Sequence, residues 1–277
     1  MDVVKSHYGA LGLYFVLAIV LTYPLCFSLT DTLIGHEQAT AGCHVWVLWW
    51  AQTDMTAIKT PLIFFPYGGD VVQLYGSDLL SPLLLSWFPI SPVLLYNVWI
   101  LLLFILGAMG LRQLALHLGA SYEGAFVGGV VFVSGPFFLH ELLNGTSELL
   151  AAFFLPWFLL FLIRTYEKES YRNAVALGFF ASLCLLSSVY NAFFVLLISI
   201  VWLLYQSMKT MEPIWTRGFL SRTAISLVVF SPALFLVAWL QLNHGATQTA
   251  SRRETLLSQG AILPDSYASI EDWFNPT

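Results

Sequence analysis

The chain has 277 residues, 58% of them hydrophobic and only 10% charged, with a formal net charge of −5 and a mean hydropathy of +0.77. Soluble domains carry about 25% charged residues, so a water-soluble globule is excluded: too little polar surface exists to solvate so much apolar side chain. Three scattered cysteines (Cys26, Cys43 and Cys184) set up no disulfide framework, and no nucleic-acid partner is expected.

The bilayer is the solvent that fits, and an all-α polytopic membrane fold follows. A span needs roughly 20 apolar residues, and about seven segments qualify. The first, about 9–29, begins within the opening MDVVKSHYGALGLYF, where no small-residue cleavage site precedes the next polar sequence, and reads as a retained span. Residues 30–92 form the longest non-spanning stretch, an extracytoplasmic loop. Within it Trp46, Trp49 and Trp50 are spaced i, i+3, i+4, on one face of an amphipathic helix lying in the headgroup region. Pro61, Pro66, Pro82, Pro89 and Pro92, with Gly68, Gly69 and Gly76, then break the backbone repeatedly. The apolar 79–90 segment is therefore expected to be re-entrant or surface-lying, above a sheltered cavity.

Further spans are expected at about 93–111, 124–139, 149–163, 174–189, 192–207 and 223–242, with Pro136 ending the third early. SSVYNAFF at 187–194 leaves the barest turn between two of them. HELLNGTSE at 140–148 is a short polar loop whose His140, Asn144 and Glu148 share a face if helical, although Gly145 favours a turn. Residues 1–242 thus read as a transmembrane domain, and 243–277 as the start of an extracytoplasmic segment of a longer chain.

With the N-terminus cytoplasmic, the inner segments hold Lys5, Arg112, Arg164, Lys168, Arg172, Lys209, Arg217 and Arg222, and the outer ones only Lys59, Arg252 and Arg253. That bias sets the orientation. Carboxylates run the other way, eleven outside against five inside, which suits either a cationic ligand or plain loop solvation.

The order of features resembles the GT-C superfamily of membrane glycosyltransferases, with the protein mannosyltransferases and aminoarabinose transferases as the members in mind. The strings that carry it are GHEQATAGCHVWVLWW (35–50), FFPYGG (64–69), LLYNVWILLLFILGAMGLRQLA (94–115) and NGTSELLAAFFLPWFLLFL (144–162), similar to bacterial members. The resemblance implies an enzyme of the bacterial plasma membrane and cell envelope. It would move a sugar from a polyprenyl-phosphate donor to a glycan, lipid or protein acceptor on the extracytoplasmic face. It also implies that the chain is an N-terminal portion, and that a carboxylate soon after the first span acts as base, a role falling on Glu37 or Asp31. Where the family pattern has an Asp, this sequence has Thr40. A second acidic residue in the next outer loop and a divalent metal (Mg or Mn) are implied as well, with Glu148, Glu141 and His140 as ligands.

The chemistry matches these residue types. Glycosyl transfer needs a carboxylate to take the acceptor's proton and positive charge on the leaving phosphate, for which Lys59, Arg252, Arg253, His36 and His44 are the outer candidates. Two readings compete. A non-catalytic scaffold or assembly protein is kept open by Thr40. A flippase or transporter would want ionisable groups inside the spans, where Asn97, Asn191 and Gln241 are polar but no Asp, Glu or Lys sits mid-helix.

Overall fold

In the computed structural model, residues 2–36, 39–54, 59–60, 62, 69–71, 78–167, 170–209, 216–240 and 242 are described. Residues 1–237 form one compact unit and 238–277 another; the first contains every feature below except the last turn of the C-terminal helix. Among its described residues the regular structure is helical apart from a two-residue antiparallel ladder, β1 (Lys59–Thr60) against β2 (Gly69–Asp70). Apolar sequence in lipid has no other outlet for its backbone polar groups, which must pair within the segment.

The helices in chain order are α1 (Asp2–Lys5), α2 (His7–Leu21), α3 (Ala41–Asp54), α4 (Leu80–Leu85), α5 (Pro92–His117), α6 (Tyr122–Val133) and α7 (Pro136–Asn144). Then come α8 (Ser147–Leu150), α9 (Leu155–Glu167), α10 (Tyr171–Ser187), α11 (Val189–Lys209) and α12 (Arg217–Leu240). A 3-10 turn, Ala151–Phe154, joins α8 to α9, so Ser147–Glu167 runs on as one helical stretch.

Every predicted apolar segment contains helix, but the seven do not all reach spanning length. Four stretches among the described residues are long and apolar enough: Pro92–His117, Ser147–Glu167, Val189–Lys209 and Arg217–Leu240. The pair α6 and α7 qualifies only together, bent by 41° where Ser134, Gly135 and Pro136 interrupt it. Pro136 has no N–H to offer the preceding turn. His7–Leu21 and Tyr171–Ser187 are shorter. The first predicted span was drawn to residue 29, yet α2 stops at Leu21 ahead of Pro24, and a 3-10 turn (Leu25–Phe27) follows. The tight turn expected near 187 is a single extended residue, Ser188, between α10 and α11.

The core is built on α5. Tyr96, Ile100, Leu103 and Phe104 are at most 2% exposed and pack with Tyr14, Leu150 and Phe153. Small residues bring other helices close. A Cβ on Gly178 of α10 would meet the Ser226 carbonyl of α12 at 2.4 Å, and the Ser226 hydroxyl donates to the Ala174 carbonyl at 2.9 Å. That is how membrane helices associate where hydrophobicity supplies no net attraction between them.

Side-chain contacts divide the unit into two ends. At one, Arg112 donates to the Val4 carbonyl (3.0 Å), His117 meets Glu167 (2.9 Å), and Arg222 donates to the Thr165 carbonyl (2.9 Å). Lys5, Arg164, Arg172, Lys209 and Arg217 sit at the termini of helices that finish or start there. At the other, Asn97 donates to the carbonyls of Leu29 and Thr32 (2.8 Å each), and Leu79 N donates to the Leu186 carbonyl (2.9 Å).

A buried histidine between two carboxylates

The end that receives Asn97 is assembled by stitching His36 and Thr40 onto the turn after α7. His36 N donates to the Leu143 carbonyl (3.1 Å), and Thr40 N donates to that of Asn144 (2.8 Å). The Thr40 hydroxyl donates to the Asn144 and Gly145 carbonyls (3.1 and 3.2 Å), and Tyr96 OH also donates to the Gly145 carbonyl (2.8 Å). The turn can receive these donors because Gly145, at φ +69°, ends α7 in the left-handed region. Gly145 N bonds the Leu142 carbonyl and Thr146 N the Glu141 carbonyl, which closes a Schellman motif. Here a side chain is doubly unwelcome: a Cβ would meet Ala41 Cβ at 2.6 Å.

Thr40 then leads into α3, where the His44 N–H reaches the Thr40 carbonyl, and His44 turns inward, 9% exposed. Its Nε2 lies 2.8 Å from Glu148 Oε2, and its Nδ1 lies 3.9 Å from Asp78 Oδ2. The Tyr96 ring stacks on the imidazole, with centroids 6.1 Å apart. The Glu148 contact is close, but that buried oxygen makes no well-aligned hydrogen bond, so we treat it as an ion-pair contact.

Asp78 is 4% exposed and fully occupied. Its Oδ1 accepts from Ser81 N (3.1 Å), and its Oδ2 accepts from Ser81 Oγ (2.7 Å) and Ser147 Oγ (3.1 Å). The carboxylate thus tethers the start of α4 and, through Ser147, the start of α8. Glu148 is 15% exposed, the most open of the three side chains. Its carbonyl accepts from Asn191 Nδ2 (2.9 Å), which also reaches Ser187 Oγ (3.1 Å).

Burial is the largest influence on His44 and by itself lowers its pKa. The close contact and charge of Glu148, with the charge of Asp78, outweigh it and leave the pKa raised above 6.5. Burial pushes the Asp78 carboxyl above its ordinary value, against the opposing pull of His44 and of the Ser81 hydrogen bonds. The result is a cation-favouring imidazole held between one locked carboxylate and one that faces outward. Such a set can take a proton at Glu148 and present positive charge from His44.

Of the residues expected from sequence, His44 and Glu148 meet, in direct contact with each other. His36 lies nearby, exposed, with Nε2 3.4 Å from Asn144 Oδ1. Asp31 is exposed in the turn after the 3-10 segment. His140 is exposed on α7, while Glu141 is buried and its carboxylate accepts a very short hydrogen bond from Thr146 Oγ1. Glu37, Arg252 and Arg253 fall outside the described residues, as does the Lys59 side chain.

Of the expected metal ligands Glu148, Glu141 and His140, Glu141 is engaged with Thr146 and Glu148 with His44. Among the described residues no group of three or more His, Cys, Asp and Glu is arranged to hold a metal. In the His44 cluster the two ring nitrogens point at different carboxylates and share no centre. Asp78, Ser147 and Tyr96 were missed as site residues. The S/D-x-x-S pattern of SDLLS was the available signal for Asp78, a carboxylate three residues ahead of the backbone N–H it caps.

No curated protein and no solved structure matches the chain. The model of the family described as alpha-(1->3)-arabinofuranosyltransferase, N-terminal GT-C domain, matches residues 83–244. This stretch takes in Glu148, Ser147 and Tyr96 but begins after His44 and Asp78. It supports the expected superfamily, through an arabinofuranosyl rather than a mannosyl or aminoarabinose branch. With more than half of its length matched and a helical architecture apolar enough to cross a membrane, the chain belongs to this family of GT-C membrane glycosyltransferase domains.

Proposed function

We propose that the chain transfers a pentofuranose, in the first instance arabinofuranose, from a polyprenyl-phosphate donor to a glycan hydroxyl on the extracytoplasmic face. The observation that carries this reading is the convergence of His44, Asp78 and Glu148, from three separate segments, at one end of the bundle. The cations Lys5, Arg112, Arg164, Arg172, Lys209, Arg217 and Arg222 gather at the other end. Excess Lys and Arg mark the cytoplasmic side, which supports an extracytoplasmic placement of the cluster. The sugar is taken from the name of the matched family.

In this reading the acceptor oxygen attacks the anomeric carbon while its proton passes to the Glu148 carboxylate. The bond from that carbon to the phosphate oxygen breaks, and the electron pair leaves with the polyprenyl phosphate. His44 offsets the negative charge growing on the phosphate, and Asp78 with its serines holds the imidazole in place.

The test is transfer by the purified chain in lipid bilayers, with a synthetic arabinofuranosyl polyprenyl phosphate and an oligosaccharide acceptor. General-base catalysis contributes about 10²–10⁴-fold, so Glu148→Gln should lower the rate by at least about 100-fold at unchanged protein abundance. Wild-type rates in Glu148→Gln would refute the assignment. The alternative, a non-catalytic scaffold, is favoured by one observation: Thr40, where the family pattern has an Asp, directs its hydroxyl to two backbone carbonyls. Absence of transfer by the wild-type chain in the same assay is what that reading expects.

A further inference from the structure

A groove of about 250 Å³ opens among α9, α10, α11 and α12, walled by Phe158, Leu177, Val195, Leu203, Phe219 and Phe230 and almost purely apolar. It lies away from the His44 cluster, towards the cation-bearing end. Phe219 and Thr223 line it within two turns of the start of α12, and Leu162 two residues before Arg164. Behind the lining residue Phe219, the Tyr166 ring packs edge-on to both Trp202 (5.1 Å) and Phe219 (5.7 Å). The hydroxyl residues on these walls are few, Ser199, Thr223 and Ser226, and Ser199 and Ser226 already donate to backbone carbonyls. Two of the helices forming it, α11 and α12, are mostly uncovered by protein, with 17% and 11% of their apolar stretches buried.

The charge at the groove's end chooses the occupant. Arg217 lies exposed in the first turn of α12, and Lys209 ends α11 with its ammonium 5.7 Å from the Tyr205 ring. Arg164 lies over Phe161 at 5.8 Å, with its Nε buried and unpartnered. The nearby acid Glu167 is already engaged by His117 at 2.9 Å. We propose that this groove holds an acyl chain of an anionic phospholipid, whose phosphate is met by Arg164, Arg217 and Lys209. Basic residues between membrane helices recognise anionic headgroups in this way, each adding roughly 1 kcal/mol near the surface. The inference does not depend on the transferase reading, since it uses neither His44 nor Glu148.

The experiment is native mass spectrometry of the whole chain released from mixed phosphatidylglycerol and phosphatidylcholine bilayers, with thermal stability measured in detergent on adding back each lipid. Retained phosphatidylglycerol and a selective rise in stability are expected. Arg217→Gln and Lys209→Gln, both exposed and therefore not required for folding, should each weaken that retention by about fivefold. Ala181→Leu, which fills the groove while keeping the surface charge, should abolish retention; Ser199→Leu is the second such variant should the first fail to fold. Equal retention of both phospholipids, or undiminished retention in the charge variants or in the filled groove, would overturn the proposal.

Discussion

Replacing Asp78 separates its charge from its hydrogen bonds. Asp78→Ala leaves the Ser81 N–H and the Ser147 hydroxyl without their acceptor in a site where Asp78 is 4% exposed and Ser147 1%. A buried donor left unpaired costs about 1–3 kcal/mol. Release of a carboxyl that burial already drives towards its neutral form returns part of this. The net expectation is a loss of about 2–4 kcal/mol, which for a chain of this size lowers Tm by about 5–15 °C. Asp78→Asn keeps an acceptor for Ser81 N, and its amide can donate to the hydroxyls of Ser81 and Ser147, so stability should stay within about 1 kcal/mol. Both variants remove the negative charge 3.9 Å from His44 Nδ1, so both should slow transfer. Thermal unfolding in detergent beside the transfer assay reads the two effects separately. An Asn variant as unstable as the Ala variant would show that the charge, not the hydrogen bonds, holds α4 and α8 together. An Ala variant of wild-type stability would refute the whole tether.

Three other perturbations probe the surrounding scaffold. His44 and Asp78 both have raised pKa values in the fold, so their stabilising contribution is complete below the unfolded values and is lost as pH rises through the folded ones. Thermal stability should therefore fall as pH is raised above 6.5, and His44→Gln should flatten that slope, a change readable from Tm at a series of pH values. Gly145→Ala places an L side chain at φ +69°, at roughly 1–2 kcal/mol, and adds a clash with Ala41. Ala41→Gly in the same chain should recover only the part of the clash owed to the Ala41 methyl, since Ala41 N and Cα would still lie 2.7 and 3.0 Å from the new Cβ, and should leave the backbone strain, as judged by Tm of the single and double variants. Asn191→Leu deprives the Glu148 carbonyl and Ser187 Oγ of their donor; it should cost about 1–2 kcal/mol in denaturant unfolding and reduce transfer by displacing Glu148.

The class of fold was determined by sequence alone, because hydropathy is a property of each segment and does not depend on what packs against it. Residues 92–117, 189–209 and 217–240 had to be helices in lipid whatever their neighbours, and the Trp46–Trp50 spacing placed a helix that the structure extends over 41–54. The gathering of Lys and Arg at alternate loops was equally local, and it fixed which helix ends lie together. Exact span lengths were less legible, since Pro24 and Pro136 shorten helices by removing single backbone donors inside otherwise apolar runs.

The site itself was a tertiary decision. His44, Asp78 and Glu148 are separated by long stretches of chain, and nothing in the periodicity of any one stretch pairs them. Glu148 and His44 were visible as types, while Asp78 looked like one more loop acid. Its role depends on Ser81 beside it and Ser147 from another loop. Packing also decided the chemistry: burial alone would favour the neutral imidazole, and the carboxylates brought beside it from two other segments raise its pKa instead. A sequence records which groups can titrate; the packing of α3, α4 and α8 against α5 determines which of them do so together.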